Sequence, residues 1–182
     1  MTTATIIGID PGSTNLGLGL ITFDLCTGII QSTDAYTIRA DRSDYYKSVL
    51  DYHSDKTRRL LVIEEMLLEA FNQYQPLLVA SESPFYNRFR PNAYGVLVET
   101  ICSIRNALMK YNDRLSLISV DPPSVKKAVG ATKLVGKDPV RDSITLLTEL
   151  HIQTPLKELD EHAVDAIAVA YSAYKQYLGG TL

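Results

Sequence analysis

The stretch Thr5-Ile6-Ile7-Gly8-Ile9-Asp10-Pro11-Gly12 decides how the rest of the chain is read. Its β-branched run suits a pleated, buried surface, and the Pro-Gly pair that follows Asp10 breaks the chain into a turn. A buried strand ending on an acid is therefore expected. Working outward, a second strand covers residues 16–23, and Gly28 turns the chain into a third over 29–38. Three strands with short connections read as an antiparallel meander.

Beyond residue 55 the hydrophobic period changes. Leu60, Leu61, Ile63, Met66, Leu67 and Phe71 recur at helical spacing, with Pro76 just past the end. Leu77-Leu78-Val79-Ala80 is a short apolar run that reads as a second buried strand and leads to Glu82. Residues 91–109 read as a helix with Val98, Ile101, Cys102 and Leu108 on its inner side, and residues 115–120 as a fifth strand. A helix opens at Pro122-Pro123-Ser124, Asp138-Pro139 forms an N-cap and N1 pair, and an alanine-rich helix runs over 160–177 until Gly179-Gly180 stops it. The order β-β-β-α-β-α-β-α-α implies an α/β fold: a mixed five-stranded sheet, meander plus parallel strands, with helices on both faces. The Tyr-rich polar segment 41–55 reads as a loop or an extension of the next helix.

With 182 residues the chain has the size of a single domain, 1–182, and its 46% hydrophobic and 21% charged residues are ordinary for a globular protein. Cys26 and Cys102 sit among apolar or small residues and are expected as buried thiols; two cysteines make neither a disulfide framework nor a zinc site. No apolar run approaches the roughly 18–20 residues that span a bilayer, and the N-terminus lacks the pattern of a secretory signal. No membrane association is expected, and the location is read as cytoplasmic. The net charge of −3 and pI of 5.6 argue mildly against nucleic acid, but the charge is unevenly spread. Lys126, Lys127, Lys133, Lys137 and Arg141 face a single acid, Asp138, and Arg88 and Arg90 sit near Phe85, Tyr86 and Phe89.

The carboxylates carry the chemistry. Asp10 and Glu82 each follow a buried strand, and strand ends in such sheets are where ligands and catalytic groups gather. Each alone also reads as an ordinary strand-end acid or turn cap. Asp160-Glu161-His162-Ala163-Val164-Asp165 opens the last helix; His162 and Asp165, three apart, can approach one centre, with Glu161 a rival ligand. Acids in a first turn also simply favour the helix dipole. Together the three elements describe a hard-cation site, and two such ions about 4 Å apart can drive phosphodiester cleavage.

These residues resemble a known family. Ile7-Gly8-Ile9-Asp10-Pro11-Gly12 with Gly17-Leu18-Gly19 is similar to the first motif of RuvC-type Holliday junction resolvases, and Glu82-Ser83-Pro84-Phe85 to their second acid with an aromatic three residues on. Pro122-Pro123-Ser124-Val125-Lys126-Lys127-Ala128-Val129-Gly130, then Gly136-Lys137, resembles the segment before the penultimate helix. His162-Ala163-Val164-Asp165-Ala166-Ile167-Ala168-Val169-Ala170 resembles the C-terminal catalytic helix. The four matches keep their order along nearly the whole chain.

The resemblance implies an RNase H-like nuclease domain that resolves Holliday junctions or other branched DNA by paired nicks and leaves 5′-phosphates. Asp10, Glu82 and Asp165 would be metal-binding carboxylates, with His162 in a position where many members carry Asp. Two Mg2+ ions are implied, with Mn2+ as a substitute. Lys137 would lie near the scissile phosphate or the attacking water, and Phe85 against bases at the junction centre, where stacking contributes about 1–3 kcal/mol per base. Arg88, Arg90, Lys126, Lys127 and Lys133 are the candidate DNA contacts. Family members act as homodimers, which suits the two-fold symmetry of a four-way junction. Three alternatives stand beside this reading: an RNase H-like nuclease acting on flaps, forks or RNA–DNA hybrids, a junction-binding or structural relative with a decayed site, and, more remotely, an actin- or Hsp70-like ATPase lobe. The three carboxylates at the expected places argue against the decayed site, and the lack of a second phosphate loop and a length about half the usual argue against the ATPase.

Overall fold

A computed structural model describes residues 2–85, 88, 91–133 and 138–182. Strands β1 (Thr3–Asp10), β2 (Asn15–Asp24) and β3 (Ile30–Arg39) form the meander. They are followed by α1 (Asp55–Tyr74), β4 (Leu78–Glu82), α2 (Pro91–Tyr111), β5 (Leu117–Val120), α3 (Pro122–Val129), α4 (Pro139–Leu146) and α5 (Glu161–Leu178). The sheet order is β3-β2-β1-β4-β5, with β1 antiparallel to β2 and parallel to β4. This is the expected mixed five-stranded sheet, with β1 at its centre.

Strand alternation sorts the side chains into two cores. Ile7, Ile9, Leu16, Leu18 and Val79 face α1 and α2, where they meet Val62, Ile63, Leu67, Phe71 and Ile104. Ile6, Ile21, Phe23, Leu78 and Ala80 face the other way, toward α3, α4 and α5. The second face depends on close approach. A Cβ on Gly19 would stand 2.5 Å from the Ala166 carbonyl, and one on Gly8 would stand 2.2 Å from the Ala170 backbone nitrogen. The alanine-rich α5 therefore lies with its backbone against bare strand backbone, and almost every residue from Ala163 to Tyr174 is buried.

The structure decides between some of the expectations from sequence and corrects others. Among the described residues three α-helices follow β5, at the three starts read from the sequence, where the expected element order had two; Gly130 at φ 82° ends α3. Residues 41–54 are mostly turns with a short 3₁₀ segment, Lys47–Asp51; α1 starts at Asp55, where the Ser54 hydroxyl caps the Thr57 N–H at 3.2 Å. The loop is held by the buried Arg58, whose guanidinium donates to the Ser43 carbonyl at 3.0 Å. Both cysteines are exposed, not buried. Cys26 sits in the Asp24–Gly28 turn, and Cys102, like Val98, lies on the outer side of α2, whose inner face is Ile101, Ile104, Ala107 and Leu108. Among the described residues no helix is long and apolar enough to cross a membrane.

Candidate active site

The register places the first two acids. Ile7, Gly8 and Ile9 of β1 pair in parallel with Val79, Ala80 and Ser81 of β4, so the next residues, Asp10 and Glu82, stand side by side at the carboxyl ends. Both strands have their even-numbered residues toward α5, so both carboxylates point at its first turns. There Asp160 acts as N-cap, accepting the Ala163 N–H at 3.1 Å. Its carboxylate is also tied to β3, through the Thr37 hydroxyl and through Arg39 Nη2 at 3.1 Å. The start of α5 is thus fixed to the sheet, and with it His162 and Asp165.

His162 Nδ1 lies 2.8 Å from Asp10 Oδ2. A carboxylate only accepts, so Nδ1 carries the proton and donates. That bond raises the His162 pKa, against the opposing effect of burial and with help from the charges of Asp10, Glu161 and Asp160. Nε2 faces Glu161 at 3.9 Å. Burial, followed by the charges of Asp10 and Asp165, pushes Glu82 up to about 7, with Lys126 pulling the other way. Asp165 is raised to about 6 by burial and then by Asp10 and Asp138. A bound cation would relieve both causes, burial of the carboxylates and the like charge of their neighbours. Among the described residues, however, no three His, Cys, Asp or Glu side chains reach the spacing that would hold a metal ion. The carboxylates face one another but are not drawn together.

A cleft of about 480 Å³ opens beside them, lined by Glu82, Asp165, Asp138, Glu161, Lys126 and the aliphatic side of α3 and α4. Asp138 caps α4 and had been read from sequence only as a cap; its charge reaches Asp165. The sequence signal was its place as the single acid in a basic segment. Glu161, the rival ligand, lines the cleft while His162 takes the bond to Asp10.

The candidate DNA contacts divide. Phe85, just past Glu82, is 56% exposed and is not a core residue, and Arg88 is exposed beyond it. Lys126 faces the cleft, whereas Lys127 turns into a separate hollow against α5. Arg141 is engaged internally: it donates to Asp138 Oδ2 at 2.9 Å and to the Leu159 carbonyl at 3.1 Å, joining α4 to the loop before α5. Lys137 and Arg90 lie outside the described residues, as do Tyr86 and Phe89, and the side chain of Lys133 does too.

A mixed sheet of this order, with acids at the ends of β1 and β4 and on the facing helix, defines an RNase H-like fold with its acidic cluster at the strand ends. The family model for "Crossover junction endodeoxyribonuclease RuvC" matches residues 6–173, and the chain belongs to that family. The RuvC protein of Prochlorococcus marinus (strain MIT 9313) is 27% identical over 176 residues, covering 94% of this chain and 98% of its own. That of Thermomicrobium roseum is 27% identical over 182 residues, covering 94% and 93%. Among solved structures, T. thermophilus RuvC in complex with a Holliday junction substrate superposes with a TM-score of 0.69 at 22% identity, over 97% of this chain and 96% of that one. The yeast mitochondrial Holliday junction resolvase Ydc2 gives 0.61 at 11% identity, over 98% and 82%. These two likenesses bear on the fold alone.

Proposed function

We propose that the chain resolves Holliday junctions as a divalent-metal-dependent endodeoxyribonuclease, hydrolysing phosphodiesters in paired nicks as a homodimer and leaving 5′-phosphates. The observation that carries this reading is the register that sets Asp10 beside Glu82, facing His162 and Asp165 at the start of α5.

The donor set fits hard cations: three carboxylates and one imidazole, where burial and then neighbouring negative charge raise Glu82 and Asp165. Asp10, Glu82, Asp165 and His162 would hold two Mg2+ ions, with Mn2+ as a substitute. When bound, the cations supply charge neutralisation and Lewis-acid activation at the scissile phosphate. Asp10, whose charge reaches both Glu82 and Asp165, would hold the cations together with them. His162 orients Asp10 through Nδ1–H, and Asp160 with Thr37 and Arg39 keeps the helix start from drifting. Lys126, on the cleft wall near Glu82, meets the DNA phosphate that enters there. Phe85 stands clear of the core where it can stack on an unpaired base. Lys137 is assigned a place near the scissile phosphate by family resemblance.

The test is cleavage of a labelled four-way junction against linear duplex, flap and RNA–DNA hybrid controls, in Mg2+, Mn2+ and EDTA. Paired metal-dependent nicks confined to the junction are expected. Equal cutting of a control would keep the nuclease and move its substrate.

A further inference from the structure

Three of the described lysines are ion-paired, and four, Lys126, Lys127, Lys157 and Lys175, have no carboxylate of the described residues within ion-pair distance. The pairs lie on and around α1 and α2: Lys47 with Asp44 at 2.7 Å, Lys56 with Glu99 at 2.7 Å and Lys110 with Glu64 at 2.6 Å. On α3 and the end of α5, among the described residues, neither Lys127 nor Lys175 has a carboxylate within ion-pair distance.

Both lysines line one shallow hollow of about 380 Å³ between α3 and the last turns of α5, with Ser124, Ser172, Gln176 and Thr181. None of the described residues that line it carries a carboxylate. Ser172 is buried and accepts the Gln176 side-chain N–H at 3.4 Å, while Lys175 lies over the Tyr171 ring at 6.0 Å. Glu149, whose charge senses Lys175, is committed to the Tyr171 hydroxyl. The hollow is mostly aliphatic, with the Lys127 and Lys175 ammonium groups as the charges on its described lining; the Ser124 hydroxyl is bonded to Asp121 and the Thr181 hydroxyl to the Gln176 carbonyl. Lys126 and Lys127, adjacent on α3, face its two sides: the acidic cleft and this hollow. A polyanion entering the cleft along Lys126 meets Lys127 and Lys175 as it crosses α3.

We infer that this hollow holds the phosphodiester backbone of a duplex arm leading away from the cleavage cleft. The inference rests on the nuclease reading and extends it to a second contact, two ammonium groups on backbone phosphates, which positions the arm without reading sequence. Each phosphate neutralised contributes about 0.9 to the slope of log K against log salt.

Binding to a four-way junction in EDTA would be measured over a salt series for the wild type, Lys127→Gln, Lys175→Gln, the double variant, and Lys56→Gln. The single variants are expected to lose about 0.9 of slope each and the double variant about 1.8, while Lys56→Gln leaves the slope unchanged. On a junction with arms too short to cross α3, wild type and double variant should converge. Unchanged slopes in the Lys127 and Lys175 variants, or an equal loss on short arms, would overturn the inference. A wild type that neither binds nor nicks the junction would instead overturn the nuclease reading beneath it.

Discussion

On one face of the sheet, Ile7, Ile9, Leu16 and Leu18 meet Val62, Ile63, Leu67 and Phe71 of α1 through large side chains. On the other, Gly8, Gly17 and Gly19 leave strand backbone bare against the backbone of α5. Bulky side chains can adjust rotamers to absorb a change; two backbones in contact cannot. The difference matters because the second face carries the acids. A Cβ on Gly17 would stand 1.9 Å from the carbonyl oxygen of His162, so the strand next to Asp10 gauges where the imidazole sits. The α1 face supplies bulk stability, and the α5 face sets positions.

The sharpest way to break that comparison is to fill the seam. Gly19→Val is expected to cost about 4 kcal/mol or more, because backbone rather than side chain must yield. Leu67→Ala, on the opposite face, is expected to cost about 3 kcal/mol as a cavity. It should still nick a junction below its lowered melting temperature, since α1 does not reach the site. Denaturant melts rank the two, and a cheaper Gly19→Val would mean that α5 is free to shift on the sheet.

A smaller effect separates the acid end from the rest of that face. Glu82, raised from 4.5 to about 7, and Asp165, raised from 3.8 to about 6, bind protons more tightly folded than unfolded. Each therefore favours the fold at low pH and withdraws that support as pH rises through its folded value. His162, also raised, acts in the same direction. The metal-free protein should lose stability from about pH 4 to about pH 7 on account of this cluster. Glu82→Gln should melt roughly 2–6 °C higher than wild type at pH 8, and no higher at pH 4. A variant melting below wild type at pH 8 would show that Glu82 is not held against its neighbours' charge.

Much of this was legible in the sequence. The acid-terminated runs ending at Asp10 and Glu82 revealed both strand ends, because buried parallel strands are short, apolar and abruptly ended. Helical spacing placed His162 and Asp165. The seam was written there too: in Gly17-Leu18-Gly19 the glycines alternate onto one face, opposite an alanine-rich helix. Its meaning waited on the register that sets Gly8 opposite Gly19. Exposure was read less well. Cys102 shares a helix with Ile101 and Ile104 but falls about 100° from the first, and periodicity alone did not settle which stripe faced inward. Nor could a run of basic residues separate Arg141, spent on α4 and the Leu159 carbonyl, from Lys126 on the cleft wall. Tertiary contacts decide that, and they join residues far apart in the chain.

The most direct measurement of the central claim, that Asp10 anchors a metal-dependent phosphodiesterase site, pairs cleavage with binding for Asp10→Asn on a four-way junction. The substitution keeps the shape and a hydrogen-bond acceptor for His162 but removes the charge. Loss of nicking in both Mg2+ and Mn2+, with junction binding retained or tightened, is the expected result. Nicking at near the wild-type rate would contradict it.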